Sequence, residues 1–512
     1  MPKKAKETIT QKVLKNTSYN FLTALISKIG AFVFTVIIAR VLFPELFGIY
    51  TLALTIILTI ATFTDLGLNA TLIRYISESL KTKTSKSEQQ ARARFYFLLN
   101  LKLVFTAITA LALFLLSDII SFYLFKKPLL ALPLKIGSIY LFVISVQGFF
   151  SSIFYSLQKI NYSLVAETIF QCLRIILVLL FLSLYKSIGT IFISLSIALF
   201  VSFLFLYFTL SRKYAFLLKG KKARLEQGEK KRLLSFFGWL TISSISLVFF
   251  VHIDTFMLGL FLPAEFIGYY GAIFSIVGTV AAFVGFGSVL LPVFTQLEQG
   301  KLERGFNKVF HYVSLIAIPA AIGLAFVIVP AIQIIYGQAY VPSSYKFAIT
   351  ITSVLLSLLV IESALTAIYS ALFQAKERPK IPSVLIVMAT IANIILNYLF
   401  IKIGISIAPQ YGLIGVALAT VITRYFNLIA LAIISKKKFN VKAKASSILK
   451  PLIVSIIMLT FLFILGHFFV ASILTEIALI ILGALVYFVI MLAIKGIKTE
   501  DFKMIITLRL KK

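Results

Sequence analysis

Residues Arg40–Gly67, RVLFPELFGIYTLALTIILTIATFTDLG, decide how this chain is organised. They hold the end of one apolar helix, a tight turn at Phe43-Pro44-Glu45 and most of a second helix. A second copy runs from Leu260 to Gly287, LFLPAEFIGYYGAIFSIVGTVAAFVGFG. Setting Glu45 on Glu265 aligns Pro44 with Ala264, Gly48 with Gly268, Tyr50 with Tyr270 and Gly67 with Gly287 without a gap, and Glu78 then falls on Glu298. Two copies of one helical hairpin, about 220 residues apart, make the chain two related bundles.

The hairpins are set in an unusually apolar chain. Hydrophobic residues make up 60% and charged residues 13% of the sequence, and mean hydropathy is +1.02. Soluble chains carry about 25% charged residues, so this is a polytopic membrane protein. Backbone in lipid must satisfy its own hydrogen bonds, which leaves helices or closed barrels. The apolar runs far exceed the roughly ten alternating residues of a barrel strand, so the spans are helices. At roughly 20 residues each, they number about fourteen.

This gives an all-α membrane fold with a definite division. A basic arm (1–17) precedes an N-terminal lobe of six helices (18–210). A basic linker (211–234) leads to a second six-helix lobe (235–435). A second basic linker (436–450), a final helix pair (451–495) and a tail (496–512) complete the chain. With the N-terminus in the cytoplasm, the inner segments hold roughly 38 Lys and Arg and the outer ones about five, which the positive-inside rule requires. Both ends are then cytoplasmic, and the N-terminal arm with the apolar stretch after it reads as a retained first span. Spans one and seven run the same way, so the repeat is parallel, about an axis along the membrane normal.

The formal net charge of +32 therefore reads as loops facing anionic lipid, not as a nucleic-acid surface. The same reading covers the richest loop, with Lys219, Lys221, Lys222, Arg224, Lys230, Lys231 and Arg232. The single cysteine, Cys172, allows no disulfide within the chain. GxxxxGK[ST], HExxH, GxSxG and Cys/His clusters are missing from the sequence. The outer loops are too short for a catalytic domain. No catalytic set, resident metal or cofactor is expected, and the chain reads as a non-enzyme.

Charges inside the spans cost roughly 2.5–3.5 kcal/mol each at the helix centre, so each needs a reason. Lys28 is near the middle of the first span, Arg174 of the fifth and Arg424 of the twelfth. Arg40 and Arg74 lie at span ends, where they either anchor at the interface or join the cavity. Such a set of cations suits an anionic substrate, because Arg and Lys complement phosphate oxygens. The acids Asp65, Glu167, Asp254 and Glu362 are candidates for coupling or gating, by taking protons or binding Na⁺. Glu362 and Arg424 also form a candidate pair between neighbouring helices, and Asp65 is a candidate for satisfaction by its local turn or by Arg74. Glu167 and Arg174, seven residues apart, share one face of a helix. Lys102 and Lys135 are read as snorkelling to helix ends. Asn393 and Asn397, one turn apart, are expected to hydrogen-bond between helices.

Assembled in order, these residues make the chain similar to the polysaccharide-biosynthesis exporters and lipid-linked-oligosaccharide flippases of the multidrug/oligosaccharidyl-lipid/polysaccharide exporter superfamily. The resemblance is carried by Ala39–Tyr50, Asp65-Leu66-Gly67 and Ile73–Ile76 in the first half. Asp254–Gly259, Glu265 and Gly268–Tyr270 carry it in the middle, and Gln374–Pro379, Asn393–Asn397 and Gly412–Thr420 in the last part. It implies rocking-type alternating access in the plasma (cytoplasmic) membrane around a cationic cavity. The implied cargo is a polyprenyl-diphosphate-linked oligosaccharide or polysaccharide repeat unit moved from the inner to the outer leaflet. Lys28 is the candidate for the first-helix cation important in related lipid II flippases, although the cavity arginines are fewer than in those relatives, which favours another glycan. Implied partners are the lipid-linked glycan, anionic membrane lipids and glycan-assembly enzymes. The rival within the superfamily is an ion-coupled multidrug-type antiporter, for which an acid-dominated cavity is expected.

Overall fold

The computed structural model describes residues 9–65, 67–81, 84–220, 225, 227–285, 294–295, 299–466 and 472–496. Leu66, Lys221, Lys222, Arg224, Gly287, Glu298, the first eight residues and the tail from 497 lie outside the described residues, as do the side chains of Lys231 and Arg232. Every long element is a helix. In chain order they are α1 (Ile9–Asp65), α2 (Leu68–Ser79), α3 (Ser85–Asp118), α4 (Ala131–Ser156) and α5 (Ile160–Leu184). There follow α6 (Ile188–Lys213), α7 (Gln227–Phe261), α8 (Ala264–Val284), α9 (Gln299–Ile335) and α10 (Lys346–Ser357). The last are α11 (Leu359–Ala375), α12 (Lys380–Ile407), α13 (Tyr411–Phe439), α14 (Ser446–Gly466) and α15 (Ile473–Ala493).

Among the described residues, 12 helical stretches are long and apolar enough to cross a membrane. One of them, Lys15–Ser79, is two arms joined by the turn at Phe43. Helix α7, whose shorter apolar part is Val248–Phe261, supplies a further span, so the fourteen-span reading holds.

The corner in α1 has a local cause. Pro44 has no amide proton to donate and disfavours helical backbone in the residue before it. Phe43 takes φ 57, ψ 171, which turns the chain back in one residue. The second arm breaks again at Gly67, whose φ of 90 is a left-handed conformation that glycine adopts without penalty. The Asp65 carboxylate accepts a hydrogen bond from the Asn69 amide at 2.9 Å, satisfying one of the unpaired donors at the start of α2. The tenth span is likewise in two pieces, α10 and α11, which part at Leu358.

The chain divides into two compact units, Met1–Gly268 and Tyr269–Lys512. The division falls in the first turn of α8, and within the first unit α7 packs on α1 and α2. In the first unit, α2, α3, α4 and α6 bury one aromatic-rich core around Phe95, Phe149, Phe154 and Leu206. In the second, α9 packs on α10, α11, α14 and α15, while α13 packs on α10, α11 and α12. The terminal pair is fastened to α9 by Met458, Leu462 and Met491 and by the Tyr487 hydroxyl, which donates to the Leu315 carbonyl at 2.9 Å.

Two sets of long-range contacts shape the first unit. The linker after α6 is docked, at least over its first part. Arg92 Nε donates to the Phe216 carbonyl at 2.7 Å, the Tyr96 hydroxyl donates to the Leu218 carbonyl at 2.8 Å, and Leu217 is fully buried. Further on, Arg94 grips Glu229 at 2.6 Å. The second feature is that equivalent residues of the two hairpins touch each other. A Cβ at Gly48 would strike the Ala264 carbonyl, and a Cβ at Gly268 would strike the Pro44 carbonyl. Since Pro44 aligns with Ala264 and Gly48 with Gly268, the contact is reciprocal, as at a two-fold interface.

Candidate functional site

The site builds up from the buried face of α5. Ser163, Ala166, Phe170, Gln171, Arg174, Val178 and Leu182 are buried at helical spacing, and α5 lays this face on α1, α4 and α6. Arg174 is only 8% exposed. Its guanidinium carbon lies 4.6 Å from the Phe34 ring centroid and 5.0 Å from that of Phe170. Stacking of this kind contributes up to about 2 kcal/mol when desolvated, less than the several kcal/mol lost in desolvating the ion. The Arg174 Nε and Nη2 atoms are buried without a protein hydrogen-bond partner. Arg174 is therefore held in place by aromatic faces, with donors that the protein itself does not satisfy.

Its neighbours are polar. Glu167 accepts from Gln171 Nε2 at 2.6 Å, and the Gln171 Oε1 atom is buried without a partner. Gln171 packs on Gly30 of α1, where a Cβ would collide with its amide. The buried phenols of Tyr50 and Tyr140 stand within electrostatic range of Arg174. The half-buried carboxylate and the buried amide, guanidinium and two phenols make one polar cluster between α1, α4 and α5. The shared face expected for Glu167 and Arg174 is present, with Gln171 between them. Gly30, Phe34 and Ile38 form the buried stripe of α1. Lys28 and Arg40 are exposed. Each stands two residues from a stripe position, about 200° around the helix.

A second cluster sits at the break before α2. Lys102, expected to snorkel, is instead fully buried at 1% exposure. Its ammonium donates to the Thr64 carbonyl at 3.0 Å and to Thr64 Oγ1 at 3.3 Å. Thr64 Oγ1 in turn meets Ser145 Oγ of α4 at 2.7 Å. Lys102 replaces a helical amide as the donor to a carbonyl at the break, and Asp65 beside it supplies an electrostatic partner. The signal was present in the sequence, since Leu98 and Thr106, one turn either side of Lys102, are on the inward stripe of α3. Arg74 is exposed, with its guanidinium 5.6 Å from the Tyr75 ring centroid. Asp254 is buried in α7, and His252 two residues away is half-buried.

In the second unit Glu362 and Arg424 form the pair that the sequence offered as one reading. Glu362 is buried in the first turn of α11, accepts from Thr366 Oγ1 at 2.7 Å, and lies 3.8 Å from Arg424 Nη1 of α13. The Tyr425 hydroxyl reaches across to the Leu358 carbonyl at 2.9 Å, closing the break between α10 and α11. Removing one partner of a buried pair costs about 3–5 kcal/mol. At this longer separation, with Arg424 15% exposed, Arg424→Met is expected to cost about 2–3 kcal/mol. Pairing it with Glu362→Gln is expected to recover most of that. Thermal unfolding of the two variants beside the wild type measures the difference. Asn393 donates to Thr423 Oγ1 of α13 at 3.1 Å and accepts from Asn397 at 2.9 Å, so the interhelical role of this pair is met. Among the described residues no three His, Cys, Asp or Glu side chains converge as for a metal.

A family model described as polysaccharide biosynthesis protein matches residues 13–298. A second, described as lipid II flippase MurJ, matches residues 279–501. No curated protein is a significant sequence match. Among solved structures, lipid II flippase MurJ in an inward closed conformation superposes with a TM-score of 0.70 at 19% identity, over 93% of this chain and 97% of the other. An inward-facing multidrug resistance MATE family transporter gives 0.55 at 15% identity, over 83% and 96%. A MOP superfamily transporter from Pyrococcus furiosus gives 0.53 at 14%, over 83% and 97%. At these identities the likenesses establish the fold.

Proposed function

Because the chain belongs to the family of polysaccharide biosynthesis proteins, we propose that it is a flippase for a polyprenyl-diphosphate-linked oligosaccharide or polysaccharide repeat unit. The cargo passes from the inner to the outer leaflet of the plasma membrane by alternating access. The protein works as a carrier, not an enzyme. The match of its later half to the lipid II flippase model supports a cargo of that chemical class.

The observation that carries the reading is Arg174. A buried guanidinium with two unsatisfied donors suits an oxyanion that can accept both, and a diphosphate offers many such oxygens. The flanking phenols and amide suit the hydroxyls of a sugar. Lys28, Arg40 and Arg74, exposed on α1 and α2, add positive charge that draws the same anion. Asp65, Glu167, Asp254 and Glu362 remain the groups through which H⁺ or Na⁺ would couple to the cycle, and glycan-assembly enzymes supply and receive the cargo.

A binding experiment separates this cargo from that of a multidrug-type antiporter. A short-chain polyprenyl diphosphate is expected to raise the melting temperature of the purified protein by mass action, and the rise is expected to vanish in Arg174→Ala. Stabilisation by a lipophilic organic cation, with none by the diphosphate, would favour the antiporter.

A further inference from the structure

A polar cavity of about 190 Å³ lies where the start of α1 meets the connection between α4 and α5. It is remote in kind from the Arg174 cluster. Lys15 and Lys159 line it together with the amides of Asn16 and Asn161, and no lining residue is acidic. Its walls are tied together by sequence-distant contacts. Asn16 Nδ2 donates to the Gln158 carbonyl at 3.4 Å, and Gln158 turns the chain with φ 55. Tyr162, also lining the cavity, accepts from Lys213 Nζ at 2.9 Å through its hydroxyl and lies beneath that ammonium at 4.9 Å. Lys213, though not a lining residue, thus brings a third positive charge to one wall. The first turn of α5, from Ile160, has no side-chain cap, so the positive end of the helix dipole adds to the field.

The position narrows the ligand. The cavity is at the end of the membrane-crossing stretches that begin at Lys15 and Ile160, and the distribution of basic residues assigns that end to the cytoplasmic headgroup level. We propose that it binds the phosphodiester of one anionic glycerophospholipid. The lysines take the phosphate, and Asn16 and Asn161 take the hydroxyls of a glycerol headgroup. A zwitterionic headgroup brings its own ammonium into this field and is rejected. The lipid would fasten the first turns of α1 to the α4–α5 connection, and this role stands apart from the transport reading.

The test uses the full-length protein in detergent, with dioctanoyl-phosphatidylglycerol, dioctanoyl-phosphatidylcholine and inorganic phosphate as separate probes. Native mass spectrometry counts bound lipid, and titration gives its Kd. Phosphatidylglycerol is expected to bind at one saturable site and phosphatidylcholine to bind weakly. Each lysine near an anionic surface contributes about a factor of five, so Lys15→Gln with Lys159→Gln is expected to raise the Kd about thirtyfold. Lys15→Arg with Lys159→Arg should keep most of the affinity, and Lys437→Gln, in the basic run of the other unit, should leave it unchanged. Equal binding of the two lipids, or a Kd unmoved by the double glutamine variant, would overturn the proposal. Saturation by inorganic phosphate alone, with no preference for the lipid, would overturn the lipid as the source and assign the cavity to a soluble phosphoester.

Discussion

Arg174→Ala is expected to slow glycan transport about a hundredfold while leaving thermal stability unchanged or raised. Hydrogen bonds to a charged group contribute about 1.5–3 kcal/mol, and each 1.4 kcal/mol is tenfold in rate. Loss of two donors to a diphosphate, about 3–6 kcal/mol, therefore amounts to two orders of magnitude even at the low end. The stability side has the opposite sign from most buried truncations. Two of its nitrogens have no protein partner, so the substitution removes a desolvation penalty along with the stacking on Phe34 and Phe170. Arg174→Lys is expected to be intermediate, since an ammonium keeps the charge but loses the planar fork and the aromatic stacking. Initial transport rates in liposomes and calorimetric melting on the same preparations separate the two effects. A fall in stability that tracks the fall in transport would reduce Arg174 to a packing residue.

The second large effect lies at the reciprocal glycine contact. Gly→Ala inside a helix normally stabilises by about 0.5–1 kcal/mol. At Gly48 and Gly268 the added methyl would meet the backbone carbonyls of Ala264 and Pro44, and backbone cannot rotate out of the way as a side chain can. Each alanine is expected to destabilise by about 1–3 kcal/mol, the range for overpacking. The double substitution is expected to cost less than the sum, because the first already parts the helices that the second would part. Thermal melting of the two single variants and the double variant tests both statements, and a rise in melting temperature for either single variant contradicts them.

How legible these features were depended on whether one helix or two carried the information. The hairpin corner at Phe43-Pro44 follows from proline chemistry and is readable in the repeat, whereas the break at Gly67 falls inside an apolar run that reads as one continuous span. The alignment of Gly48 with Gly268 marked the positions of closest approach, but only three-dimensional structure shows that the two copies meet there. Glu167 and Arg174 shared a face by spacing alone. Their separation from Lys28 could not be read, because it depends on which face of α1 receives Gln171, and Gly30 does so. Lys102 lies close enough to a helix end to snorkel, but the inward stripe of Leu98, Lys102 and Thr106 buries it. The docking of residues 216–218 on Arg92 and Tyr96 was hidden for a similar reason. Long-range hydrogen bonds to loop carbonyls leave no periodic trace in sequence.

The most direct measurement follows the glycan itself. Purified wild-type protein is placed in liposomes loaded with a polyprenyl-diphosphate oligosaccharide, and the fraction of glycan protected from an external glycosidase is recorded over time, with protein-free vesicles alongside. Protein-dependent passage of the glycan between leaflets is expected, slowed about a hundredfold by Arg174→Ala. Glycan that moves no faster than in protein-free vesicles, while the same proteoliposomes expel an organic cation, would contradict it.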